Sequence, residues 1–307
     1  MAAASLRADA SNSPVVAMTE AALAALHARE GHAVVVRQGC HWRSAYPGFY
    51  QPVHLLARIR AAEVRQPARL CWGFRAALSE EDAQLANASL PVHLLSDVQR
   101  FDEGLLDRNR RSDLRRFRRQ VDVRRLETPT LLLQQGYAVF RSAERRLGYW
   151  KPLTDLEYRD RVKRRNEHGR RLLIAALVKG TLCGYLDSYA IDGVLYTDEI
   201  FIATDALRTG IGTGLYVEAF LAAARDGTIR AVCNGLHRPE HPNLGRFKEG
   251  LGFRVVHVPA RAVIPAPIRA YLRARRPATY YRLTGDERAL AAIPSRSPVD
   301  LGAGSGG

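Results

Sequence analysis

The chain has 307 residues, of which 47% are apolar, enough for one large or two modest buried cores. It carries 46 Lys and Arg against 31 Asp and Glu, a net charge of +15, which suits anionic partners such as CoA phosphates, tRNA or an anionic membrane surface. Cys40, Cys71, Cys183 and Cys233 are scattered without a CxxC pair, residues 1–14 lack the apolar core of a signal peptide, and no run reaches transmembrane length. A disulfide scaffold, a secreted chain and a spanning protein are therefore not expected; a reducing, cytoplasmic setting is.

In chain order, residues 1–14 read as a disordered lead. Thr19 is placed to cap a short helix over 19–29 that Gly31 stops, and HAVVVR at 32–37 reads as a strand. The aromatic stretch after it holds Trp42, Tyr46, Phe49 and Tyr50, which form either a binding lip or a loop packed around Pro47-Gly48. Further strands are predicted at 70–77 and 90–95. Residues 15–110 thus form an amino-terminal α/β region of their own, with no motif that carries chemistry.

The run RNRRSDLRRFRRQVDVRR opens on Arg108 and closes on Arg125. Leu114 and Phe117, three apart, give it a thin apolar stripe, which predicts a basic helix with a strand at 121–126 behind it. So many arginines repel one another unless an anion is near. The run is either a contact for RNA or phosphate or a domain-joining helix with one solvated face. Helices follow at 129–146 and at 153–167, the second capped by Thr154. Strands at 171–178 and 182–191 turn at Lys179-Gly180, and Asp192-Gly193 leads into a third antiparallel strand.

That third strand belongs to the stretch VLYTDEIFIATDALRTGIGTG at 194–214, which reads as strand, loop, glycine turn and the start of a helix ending at Asp226-Gly227. Gly210, Gly212 and Gly214 leave a bare backbone whose N–H groups can face one anion at the positive end of that helix, and a pyrophosphate is the natural guest. The next strand, 229–233, ends in Asn234-Gly235 rather than in the acidic residue of a dinucleotide fold, and no Gly-Lys-Ser/Thr closes a P-loop. A short helix at 243–250, a strand at 253–259 and a last strand at 279–284 complete the pattern, with a helical turn and flexible tail over 286–307. Cys233, His237 and His241 recur every four residues, but Gly235 and Pro239 break any helix that would align them, so no metal site is expected.

The succession of elements over 120–285 resembles the GNAT (GCN5-related) N-acyltransferases. The window Leu207-Arg208-Thr209-Gly210-Ile211-Gly212 is similar to their cofactor motif, Gln/Arg-x-x-Gly-x-Gly/Ala, with Leu207 in place of the Gln/Arg and Arg208 one place on. The resemblance implies an α/β (α+β) fold, with a mixed, mostly antiparallel twisted sheet flanked by helices over 111–285 and the smaller amino-terminal region before it. It also implies acetyl-CoA, or another acyl-CoA, as cosubstrate, and no metal. Ile200, Phe201 and Ile202 would hold the cofactor along the strand edge, with Leu207, Arg208, Thr209, Gly210, Ile211, Gly212, Thr213 and Gly214 in the loop, and Asn243 beyond them.

Acyl transfer by direct attack of a small-molecule or peptide amine needs a group that takes the ammonium proton and fixed donors for the oxyanion. Asp198 and Glu199, facing opposite sides of the strand, are the candidate bases, and backbone N–H groups near Ile200–Ile202 the candidate donors. In NLGRFKEGLGF, at 243–253, Lys248 stands where GNAT proteins carry the tyrosine that protonates the departing thiolate. This segment is closer to the Phe-Lys-x-Gly-Phe-Gly of the FemAB-like transferases, which join two GNAT-like halves, and the arginine run is similar to theirs too. That second resemblance implies aminoacyl-tRNA-dependent transfer. A non-catalytic binding module of the same fold stays open, because Leu207 and Lys248 both depart from the GNAT pattern.

Overall fold

The computed structural model describes residues 15–148, 152–167 and 169–293. The lead expected over 1–14 and the tail expected beyond 293 lie outside the described residues. Thr19 Oγ1 accepts from the Ala22 N–H at 3.2 Å and starts α1 (Glu20–Arg29). β1 (Val34–Arg37), β2 (Cys40–Tyr46), β3 (Phe49–Pro52), β4 (Arg58–Ile59), β5 (Gly73–Leu78) and β6 (Ala88–Ser96) follow. Asp107 accepts from the Arg110 N–H at 2.7 Å and caps α2 (Arg108–Gln120), which buries Leu114 and Phe117. After β7 (Asp122–Leu126), a π turn (Leu132–Gly136) runs into α3 (Tyr137–Leu147). A reciprocal capping box of Thr154 and Glu157 opens α4 (Asp155–Asn166).

β8 (Leu172–Val178), β9 (Thr181–Ile191) and β10 (Val194–Ile202) form a meander. All four residues of its turns, Lys179-Gly180 and Asp192-Gly193, have positive φ, as two-residue hairpin loops of the primed type require. Then come α5 (Ile211–Asp226), β11 (Ala231–Leu236), α6 (Pro242–Gly250), β12 (Arg254–Val263), α7 (Ala266–Arg275) and α8 (Pro277–Thr284).

The strands make one sheet in the order β1-β2-β3-β5-β12-β6-β11-β10-β9-β8-β7, with β4 beside β5. Pairing is parallel for β10–β11, β3–β5 and β4–β5 and antiparallel elsewhere. This is the expected class, a mixed, mostly antiparallel sheet flanked by helices. β6 lies between β11 and β12, so strands from the two ends of the chain alternate within the sheet. α5 supplies the main core with Ile211, Leu215, Val217 and Phe220, joined there by Leu114 and Phe117 of α2. A second cluster under α3 and α4 gathers Phe140, Tyr158, Tyr185 and Phe201.

One expectation is corrected and one open alternative resolved. Residues 279–284 are helical: Pro277 occupies the first turn of α8, the buried Tyr280, Tyr281 and Leu283 share one helical face, and Gly285, at φ +67°, ends it. The aromatic stretch is no binding lip. It forms β2 and β3, and Trp42, Phe49 and Tyr50 are core residues.

Candidate active site

β10 and β11 pair only from Val194–Ala231 to Tyr196–Cys233; β11 pairs with β6 on its other side from Ala231 on, and beyond Tyr196 β10 is paired along β9 alone. Asn234 bridges the two strands where they part, its Nδ2 donating to Tyr216 Oη at 2.8 Å and to the Thr197 carbonyl at 3.3 Å. Lys248, from α6, is 5% exposed, and its Nζ donates to the Asn234 carbonyl at 3.2 Å. Burial, with a smaller push from Arg238, holds this lysine down to about 8. Beside it His237 Nδ1 and His93 Nε2 lie 3.1 Å apart, and burial lowers both rings, His93 to about 3.

Asp198 and Glu199 do not face opposite sides as expected. A bulge between Thr197 and Glu199 breaks the alternation, and both carboxylates reach the guanidinium of Arg165. Arg165 also binds Asp187 at 3.0 Å and Glu30, while Arg171 joins Asp187 at 2.5 Å to Asp198 at 2.8 Å, and Arg161 pairs with Glu199. Burial raises the Asp198 carboxyl, but Arg165 and Arg171 outweigh it and hold Asp198 well below the usual carboxylate range, a poor proton acceptor. For Glu199 the balance reverses: burial, with the carboxylates of Asp198 and Asp187 beside it, raises it against the pull of Arg165 and Arg161. Arg165, Arg171 and Asp187 have side chains 7%, 1% and 5% exposed, so removing one partner would strand a buried charge, at a cost of about 3–5 kcal/mol.

The glycine loop is covered. A Cβ at Gly210, which has φ +82°, would stand 2.3 Å from the Asp113 carbonyl oxygen of α2, and one at Gly214 would stand 2.3 Å from the Phe117 ring. These two glycines let α2 and α5 pack closely. Thr213 Oγ1 lies 3.4 Å from both Asp113 Oδ2 and Arg110 Nη1, and Arg116 donates to the Arg208 carbonyl at 2.8 Å. Gly212 faces another way, toward Ile202 and Phe247, and the Arg110 guanidinium sits 4.8 Å over the Phe247 ring.

Of the remaining loop residues, Leu207 is exposed, Thr209 Oγ1 donates to the Ala206 carbonyl, and Ile211 is core. Ile200 and Ile202 are half-buried, Phe201 is fully buried, and the Ile202 carbonyl accepts from Arg146. Asn243 is exposed and accepts from Arg246. A polar cleft of about 640 Å³ at Ser89, His257, Arg269 and Arg288 includes none of these residues.

The sequence reading missed Arg165, Arg171, Asp187 and Asn234. Asp187 did carry a signal, as the one charged residue of β9, in a strand otherwise apolar or neutral. Asn234 lies near a strand end, with nothing in the sequence to mark its bridge to Thr197 and Tyr216.

No family model matches the sequence, and no curated protein does. Solved structures do. The C-terminal domain (DUF2156) of a putative lysylphosphatidylglycerol synthetase from Agrobacterium fabrum is similar over 87% of this chain and 92% of its own, with TM-score 0.56 and 12% identity. FemX is similar over 86% of this chain and 95% of its own, with TM-score 0.57 and 10% identity. L-PGS from Bacillus licheniformis is similar over 85% and 92%, with TM-score 0.51 and 12% identity. What is shared is the fold. The likeness extends through the amino-terminal strands as well as the GNAT-like part.

Proposed function

We propose that this protein is an acyl transferase that takes an aminoacyl group from a charged tRNA and passes it to an amine. The seating of α2 on the glycine loop carries this reading. Asp113 presses its backbone carbonyl against Gly210 at the start of α5, where a CoA pyrophosphate would be expected, and its carboxylate there already engages Arg110 at 3.1 Å and Arg116 at 3.6 Å. α2 presents Arg108, Arg115 and Arg119 to solvent instead, and none of them makes an ion pair among the described residues. They suit an RNA backbone. The FemAB-like segment around Lys248 and the likeness to FemX and to lysylphosphatidylglycerol synthetases over most of the chain support the same donor.

In the reaction the amine nitrogen bonds to the ester carbonyl carbon, the ester C–O bond breaks, and the ribose hydroxyl leaves. Lys248, partly neutral near its lowered value, takes the ammonium proton at Nζ and returns it to the departing ribose oxygen, and the β10 edge beyond the parting supplies N–H groups to the oxyanion.

An acyl-CoA donor is the second reading, favoured by Gly212, which faces Ile202 and Phe247 rather than α2. Calorimetric titration with tRNA and with CoA separates the two. Wild type is expected to bind tRNA with a steep salt dependence. The triple variant Arg108→Ser, Arg115→Ser, Arg119→Ser should lower the slope of log K against log salt by roughly 2–3. Micromolar CoA binding, with tRNA affinity indifferent to salt, would overturn the tRNA reading in favour of the second.

A further inference from the structure

We infer that the carboxyl end of α1 binds a single zinc ion through His27, Glu30 and His32. One ligand atom from each of the three lies within 4.8 Å of the other two. Bonds of about 2.0–2.2 Å around a tetrahedral zinc place ligand atoms roughly 3.4 Å apart. His27 Nδ1 and Glu30 Oε2 already lie 3.4 Å apart. The His32 ring stands edge-on to His27 at 5.5 Å between centroids, and it is exposed on the chain just past Gly31. His32 is therefore the ligand free to swing in and close the site, leaving a fourth position toward solvent.

His27 is the residue that calls for a ligand. It is 8% exposed; its Nδ1 faces only the Glu30 carboxylate at 3.4 Å, and its Nε2 has no hydrogen-bond partner among the described residues. Buried polar nitrogens are ordinarily partnered, and a metal ion would engage a lone pair here. The side-chain charges around the site balance, and the end of the helix adds a negative bias. The carbonyls ending α1 give that end partial negative charge. Glu30, Asp187, Asp198 and Glu199 stand against Arg161, Arg165 and Arg171, with Arg43 the further cation acting on His27. Arg165 grips the other oxygen of Glu30 and so orients its carboxylate from outside the ligand set. Two imidazoles with one carboxylate suit zinc, whereas magnesium and calcium prefer all-oxygen sites.

The test uses the untagged full-length chain, stripped with a chelator. Zinc is titrated in competition with a chromophoric chelator, and cobalt(II) is followed by its visible absorption. The expected result is one equivalent of zinc, a tetrahedral cobalt spectrum, and thermal unfolding that moves up with added zinc. His32→Ala, at an exposed position that leaves folding intact, should lose more affinity than the roughly 10–100-fold typical of removing an outer partner. His27→Gln should lose the cobalt spectrum, and His257→Ala should change nothing. Absence of zinc uptake at micromolar free ion, or equal affinity in wild type and His32→Ala, overturns the site.

Discussion

Lys248 is a buried amine that donates to a backbone carbonyl, with no carboxylate paired to it among the described residues, and that setting fixes how it responds to pH. Its folded value near 8 lies below the roughly 10.4 of a lysine in an unfolded chain. Between these values the unfolded chain holds a proton that the folded chain has released, so stability rises with pH across that window. Below about 8 the full penalty applies. Lys248→Met should therefore be more stable than wild type at pH 7, by roughly 3 kcal/mol, and should lack the rise between pH 8 and 10. Transfer should fall by about 10²–10⁴-fold. Urea unfolding at the two pH values, beside a transfer assay, checks both. A variant less stable than wild type at pH 7 would mean that the lysine is held charged by a partner. Asp198 and Glu199 illustrate how far the sequence reads at this scale. Their place on the central strand was visible, but the bulge that brings both to Arg165 was not, because alternation assumes an unbroken pleat.

At the level of elements, caps and hairpin turns were local and so were read correctly: Thr19, Thr154, Lys179-Gly180 and Asp192-Gly193 all do what their chemistry suggests. The three loop glycines could not be read in the same way. Alternate glycines serve an anion or a close helix contact equally well, and the helix contact at Gly210 and Gly214 is made by Asp113 and Phe117, about a hundred residues earlier. Alanine substitutions divide the two roles. Gly210→Ala combines positive φ with a clash against backbone, and Gly214→Ala crowds an aromatic ring, so each should destabilise by about 1–3 kcal/mol. Gly212→Ala meets only Ile202 and Phe247 at 3.3–3.5 Å and should leave thermal unfolding nearly unchanged while altering donor affinity. Equal losses of stability in all three would mean that α2 does not pack on the loop as described.

For the whole molecule, the order of elements was enough to predict the sheet class, but not its sequence of strands. β6 pairs with β11 and β12 across a gap in the chain that leaves no local trace, and α8 reads as a strand by composition until Pro277 and the burial of Tyr280 and Tyr281 are known. The placement of β6 also bears on biosynthesis. Its nearer neighbour in the sheet, β11, is made roughly 135 residues later, an interval of about 7–30 s at ordinary elongation rates. For that time ASLPVHLLS is an apolar strand with two open edges, the kind of segment that pairs with other chains unless it is shielded. Ribosome-bound chains stalled before residue 231 should be cut by protease within 88–96, and chains stalled after β12 has cleared the exit tunnel should resist. Expression of the intact protein should accordingly depend on chaperone supply and translation speed more than its folded stability would suggest.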